Sequence, residues 1–197
     1  MPRQGLILAF SFEKKYPYHL TYIGRLTKVK GVDLLLKAAV VLKEHYPIIV
    51  SIVGDGDSRA ELEALSKELR LESIVRFWGQ QQDVTPFLKQ AGIFIYPSVW
   101  QEIFGISIVE AMAFGIPCVA NAVGGIPEII RDKDCGYLND DLTAESLADT
   151  IKNVINDYEN ESIERRSQRA KERAWDFSIV NTTSRLHDVY REIMKGI

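Results

Sequence analysis

PSVWQEIFGISIVEAMAFGIPCVANAVGGIPE, residues 97–128, is the stretch around which the rest of the sequence is organised. Between Ile103 and Pro127 it carries one formally charged side chain, Glu110. Ile106, Ile108, Val109, Ala111, Met112, Ala113 and Phe114 are apolar almost all round it, the pattern of a helix with no solvent face. Burying a lone carboxylate is costly, so Glu110 is expected to be paired, protonated or set to meet a ligand. Glu102 stands eight residues earlier, just ahead of the helix. Gly105 at the helix start lets a ligand approach the first free backbone N–H groups, a natural phosphate site. A core helix whose Glu110 bonds to neighbouring backbone is the alternative this stretch leaves open.

Outward from this stretch the chain alternates between two patterns. Continuous apolar, β-branched runs read as strands: LTYIG, IIVSIVG, SIVRFWG, GIFIYPS, IPCVAN and a short CGYL. Between them lie helical patterns, VDLLLKAAVVLKEH, SRAELEALSKEL and VTPFLKQA, the last with Asp83 as N-cap. After Thr143 the chain reads as helix throughout, opening on a capping box that is only partial because Ser146 stands where Glu or Gln belongs. Apolar strands alternating with helices predict a single Rossmann-like, doubly wound parallel sheet with a helical C-terminal tail. Ligands in such sheets sit at the carboxyl ends of the strands, here Gly24-Arg25, Gly54-Asp55-Gly56, Gly79-Gln80, Pro97-Ser98 and Asn121. The expected organisation is an N-terminal segment, 1–19, a domain, 20–175, and a last amphipathic helix, 176–197. Within 1–19 the run LILAF reads equally as a strand, an appended remnant or a packing segment.

The 197 residues suffice for one large domain, and 46% hydrophobic with 26% charged residues is the balance of an ordinary globular protein. A net charge of −3 argues against a nucleic-acid footprint but leaves room for a local anion pocket. Cys118 and Cys135 form no metal or disulfide pattern; Cys118 reads as core and Cys135 as part of a polar loop. No apolar run is long enough to span a bilayer, and the expectation is a cytoplasmic protein.

Several motifs carry less than they first promise. Gly54-Asp55-Gly56 is a fragment of a dinucleotide fingerprint with Arg59 in place of the third glycine, so it reads as a tight strand-to-helix turn. Arg25 and Lys30 lie between the first strand and the next helix, where two cations could clamp a diphosphate or remain solvated loop charges. His19, His45 and His187 are scattered, and no metal site is expected. Ser98 lacks a nucleophile elbow. Trp78, Trp100 and Trp175 read as packing residues.

Taken in order, GRLTKVKGVDLLLKA, IVGDGDSRAELE, VRFWG, FIYPSVWQEIFGISIVEAMAFGIPCVA and VGGIPEII resemble the donor-binding half of retaining GT-B glycosyltransferases, family 4. The likeness covers roughly residues 20–140. It implies a domain that binds a nucleotide sugar for transfer to a glycan or lipid-linked acceptor, as in polysaccharide or lipopolysaccharide biosynthesis. By this resemblance Glu110 holds the nucleotide ribose, Glu102 contacts the donor sugar as the catalytic-site carboxylate, and Arg25 and Lys30 hold the diphosphate. Gly105 and Ile106 complete the donor site, and neither metal nor cofactor is expected. Ile103 departs from the small residue or proline usual after the first glutamate. A GT-B enzyme has two Rossmann-like domains, so the partners implied are the nucleotide sugar and an acceptor-binding domain or chain, with the full enzyme peripheral to the membrane. A non-enzymatic nucleotide-binding module and an epimerase-like relative are the competing readings.

Overall fold

The computed structural model describes residues 18–130, 135–160 and 162–195. The LILAF segment lies outside the described residues. Six strands form one sheet: β1 (His19–Ile23), β2 (Ile49–Val53), β3 (Val75–Gly79), β4 (Ile93–Tyr96), β5 (Cys118–Asn121) and β6 (Tyr137–Asn139). Their order is β3-β2-β1-β4-β5-β6, and every pairing is parallel. This is the doubly wound arrangement expected from the apolar strands.

Eight helices join and cover the strands among the described residues: α1 (Val32–Lys43), α2 (Arg59–Glu68), α3 (Thr85–Gln90), α4 (Ile106–Ala113), α5 (Ile126–Ile129), α6 (Ala144–Glu159), α7 (Ile163–Asp176) and α8 (Ile179–Lys195). Successive strand side chains point to opposite faces, so each strand feeds two cores. Leu20, Tyr22, Ile52, Ile95 and Val119 pack with Leu35, Leu36 and Ala39 of α1 and Leu147, Ile151 and Ile155 of α6. Ile23, Val53, Phe94, Tyr96, Cys118 and Ala120 pack with Ile108, Ala111 and Met112 of α4 and Ala170 and Ala174 of α7.

Local signals hold at the helix starts. Thr143 Oγ1 accepts from the Ser146 amide at 3.2 Å, the partial cap foreseen. The N-cap of α3 is Val84 rather than Asp83, whose Oδ1, one residue further out, accepts from the Thr85 amide at 3.0 Å. The Gly54-Asp55-Gly56 segment is a tight turn: Gly54 has φ +135°, and a Cβ there would sit 1.9 Å from the Gly24 carbonyl oxygen. Only glycine fits both the backbone angle and the close approach. Arg59, in the place of a third glycine, bridges Asp55 and Glu63 instead.

Three expectations need correction. Helix α4 does have a solvent face: Ile108, Ala111 and Met112 form a buried i, i+3, i+4 stripe, while Ile106 is 67% exposed. α4 packs one flank on β4, β5 and α7 and leaves the other uncovered at the carboxyl ends of the strands. Cys135 is buried, because the chain entering β6 packs into the core beside α4. The tryptophans are not packing residues of the core; Trp100 is 65% exposed, and Trp78 and Trp175 are also exposed. Trp78 lies on edge strand β3, where Arg76 stacks on its ring at 4.1 Å.

Candidate functional site

The strand order reverses between β1 and β4, and crevices beyond the carboxyl ends of strands at such a switch point take ligands. Chain leaving β1 forms a 3-10 turn, Lys28–Lys30, ahead of α1; chain leaving β4 runs through Pro97–Phe104 to α4. The Val99 amide donates to the Val29 carbonyl at 2.9 Å and joins the two exits. Lys30 and Glu102 consequently meet. Lys30 Nζ lies 2.5 Å from Glu102 Oε1, with the two side chains 13% and 12% exposed.

Glu102 is held from several directions. Ser98 Oγ is 2.6 Å from the same Oε1, and Tyr96 Oη lies 3.4 Å from Lys30 Nζ. Burial alone would push the Glu102 carboxyl up, but hydrogen bonds from Lys30 and Ser98 outweigh it and hold the group below the usual carboxylate range. Burial opposes the charge on Lys30, and its bond to Glu102 raises the ammonium above its ordinary value nonetheless. The main chain is fixed as well. The Gly125 amide donates to the Glu102 carbonyl at 2.6 Å. Gly124 has φ +56°, and a Cβ there would lie 2.4 Å from that carbonyl oxygen. The VGGIPE turn therefore lies directly against the Glu102 backbone.

Glu110 is different. It is exposed on α4, and its side chain has neither hydrogen bond nor ion pair among the described residues. Loss of water around it pushes its carboxyl above the usual value. The expectation of a carboxylate buried in the core is corrected: Glu110 lies one turn after Ile106, on the open flank of α4. Gly105 is the N-cap of that helix, offers no side-chain cap, and no acidic residue stands in the first turn. The Ile106 and Ser107 amides lie in the first turn, where a helix has no internal acceptor.

The Arg25 side chain is exposed, without hydrogen bond or ion pair among the described residues. It lines a cavity of about 520 Å³ at the carboxyl ends of β1 and β2, with Gly24, Gly54, Gly56, Gln80 and Gln81. Tyr22 Oη donates to the Arg25 carbonyl at 2.8 Å, which fixes the start of this loop. The two cations expected as a pair thus have different situations: Lys30 is engaged by Glu102, and Arg25 faces open space.

Sequence reasoning singled out Glu102, Glu110, Arg25, Lys30, Gly105 and Ile106 as candidates and did not point to Ser98 and Tyr96 as contacts of the Lys30–Glu102 pair. A hydroxyl just beyond an apolar strand, at a strand end already marked for ligands, was the available signal. His19 is buried against Ser51 Oγ at 2.9 Å, and burial lowers its pKa. Among the described residues, no three His, Cys, Asp or Glu side chains are grouped to hold a metal ion.

A single Rossmann-like sheet with an ion pair and an open helix start at its switch point defines one half of a GT-B fold. Residues 7–173 match the family described as glycosyl transferases group 1. The N-acetyl-alpha-D-glucosaminyl L-malate synthase of Bacillus anthracis is 30% identical over 178 residues, covering 89% of this chain and 46% of that protein. The D-inositol 3-phosphate glycosyltransferase of Saccharomonospora viridis is 34% identical over 187 residues, covering 89% and 43%. Among solved structures, Anabaena HepE in complex with UDP superposes with a TM-score of 0.79 at 25% identity, over 89% of this chain and 49% of HepE. The chain belongs to the glycosyl transferases group 1 family, and it spans less than half the length of the curated relatives named here.

Proposed function

We propose that this chain is the donor-binding domain of a retaining, family 4 type glycosyltransferase, holding a nucleoside-diphosphate sugar in the crevice between β1, β4 and α4. The observation that carries the reading is the buried Lys30–Glu102–Ser98 cluster at the switch point, beside a helix start without a side-chain cap. HepE, whose structures include complexes with UDP and with UDP-glucose, supports a nucleotide sugar as the ligand class.

Each residue then has a task. Glu110 accepts hydrogen bonds from the ribose hydroxyls, for which its lack of an internal partner leaves it free. Arg25 and the amides at the start of α4 meet the diphosphate, where the positive end of the helix dipole favours an anion. Lys30 has three donors, and the one not directed at Glu102 or Tyr96 is available to the same charge. Glu102 keeps Oε2 for the donor sugar. These cations and dipoles would stabilise the departing diphosphate without a divalent metal. The glycine-floored cavity beside Arg25 has room for the nucleoside end.

Transfer also needs an acceptor held in near-attack geometry, and positioning supplies much of the rate. We assign that wall to a second domain or chain. Exposed Leu186, Val189, Tyr190 and Ile193 on α8 and exposed Trp100 and Ile103 beside the site are apolar surface suited to such a neighbour. On this reading the 197-residue chain binds donor but does not turn it over, and the whole enzyme works in the cytoplasm, peripheral to the membrane where the acceptor is lipid-linked. A backbone NMR titration with UDP, GDP and ADP tests the placement. Shifts should gather at Gly24, Arg25, Lys30, Gly105, Ile106 and Glu110; shifts gathered elsewhere would overturn it.

A further inference from the structure

A line of buried polar side chains runs from the first turn of α6 to Glu102, crossing the ends of β6, β5 and β4. Ser146 Oγ donates to Asn139 Oδ1 at 2.5 Å, and Thr150 Oγ1 lies 3.4 Å from the same oxygen. Asn139 Nδ2 donates to Asn121 Oδ1 at 2.8 Å and to the Asp141 carbonyl at 2.6 Å. Asn121 Nδ2 in turn reaches the Pro97 and Ser98 carbonyls, at 2.9 and 3.1 Å. Ser98 Oγ ends the line 2.6 Å from Glu102 Oε1, with the Val29 carbonyl a longer alternative acceptor at 3.0 Å. Asn121, Asn139 and Ser98 are 0%, 2% and 1% exposed.

This line is costly unless fully satisfied. Asparagine is disfavoured in strands, and its buried amide must find both donors and acceptors. Both asparagines close their strands, and β5 and β6 pair them as neighbours. The chain leaving β4 has no further strand pairing, since β4 ends at Tyr96. The Val99 amide on the Val29 carbonyl holds this segment from the β1 side. Asn121 grips two successive carbonyls from the β5 side, so its side chain helps to fix the peptide planes before and after Ser98.

We propose that the Asn139–Asn121 pair is a positioning element for Glu102: it locks the Pro97–Ser98 backbone so that the Ser98 hydroxyl stays on one carboxylate oxygen and the other is left for a ligand. Ser98 and both asparagines are positioning residues and touch no substrate. The role of Glu102 toward a donor sugar rests on the proposed function; its placement by the asparagines does not.

The experiment follows the Glu102 carboxyl of the ligand-free chain by 13C NMR during a pH titration. The charged or titratable groups facing it are Lys30 and Tyr96, with Tyr22 further off, and none is altered by the variants. Ser98→Ala removes a hydrogen bond to a charged group, and the Glu102 midpoint should rise by about one pH unit. Asn121→Ser should move it the same way by a few tenths of a unit or more. Ser167→Ala is the control: it removes a buried bond of 2.6 Å to the Gly115 carbonyl under α7, far along the chain from the line. That variant should lose stability and leave the Glu102 titration unmoved. If Asn121→Ser fails to fold, Asn139→Ser carries the same expectation. An asparagine variant that shifts Glu102 no more than Ser167→Ala does would overturn the positioning role. A shifted Glu102 in a protein that binds none of UDP-, GDP- and ADP-glucose would leave the positioning role standing and sink the donor site instead.

Discussion

Two carboxylates eight residues apart are handled in opposite ways. Glu102 is partly buried, receives Lys30 and Ser98 on one oxygen, and is held below the usual carboxylate range. Glu110 is exposed, its carboxylate has no hydrogen bond or ion pair among the described residues, and it is pushed up by loss of water. One group is already satisfied by the protein and contributes to the fold. The other is left with an electrostatic cost that a ligand could relieve. A site built this way keeps its sugar-side geometry fixed while the nucleotide side stays open.

The largest effect should come from breaking the satisfied pair. Glu102→Gln leaves the Lys30 ammonium buried without its counter-charge, a change that costs about 3 kcal/mol. In a chain of this size that is a fall in Tm on the order of 6–12 °C by calorimetry. The pH dependence has a sign for each partner. Glu102, with a lowered folded pKa, contributes stability above the ordinary carboxylate range that is lost as pH falls through its folded value. Lys30, with a raised folded pKa, contributes stability below its ordinary range that is lost as pH rises through its folded value. An unchanged Tm in Glu102→Gln would show that the pair contributes nothing to the fold.

Gly124→Ala is next. It forces a Cβ to 2.4 Å from the Glu102 carbonyl oxygen at a left-handed backbone angle, and should cost about 1–3 kcal/mol in urea unfolding. Nucleotide-sugar affinity should fall with it, since the Glu102 main chain must move.

The open side should respond in the reverse manner. Arg25→Ala should change stability by less than about 0.5 kcal/mol, as an exposed substitution. It should weaken UDP binding roughly tenfold and leave uridine binding unaltered, because the lost contact is a charge-assisted one to phosphate. Equal losses for both ligands would contradict a phosphate contact. Glu110→Gln gives the smallest stability effect. A raised folded pKa means that ionised Glu110 opposes folding at neutral pH, so the variant should be unchanged or more stable by about 0.5 kcal/mol at most. Its affinity for nucleotides should still drop. A marked fall in Tm would make Glu110 a structural carboxylate.

The sheet was legible because its signals are redundant. IIVSIVG, FIYPS and IPCVAN each place apolar β-branched or aromatic side chains on both faces, which fits only a covered parallel sheet. The candidate residues were legible one by one, but their grouping was not. Lys30 and Glu102 are 72 residues apart, and no local pattern says that a lysine after β1 meets a glutamate after β4. Strand order decides it, by placing β1 beside β4. The exposure of Glu110 was misjudged for a related reason. Composition shows that a helix is apolar, but a helix packed along one flank can leave apolar residues such as Ile106 uncovered. Asn121 and Asn139 pair only because β5 and β6 lie side by side, 18 residues apart in sequence.

The most direct measurement is calorimetric titration of the chain with UDP-, GDP- and ADP-glucose, in chelator and again with Mg²⁺. The account predicts that one of the three binds with the same affinity in both conditions, and that Arg25→Ala and Glu110→Gln each weaken it without unfolding the protein. Binding that appears only with Mg²⁺, or no binding of any of the three, would contradict it.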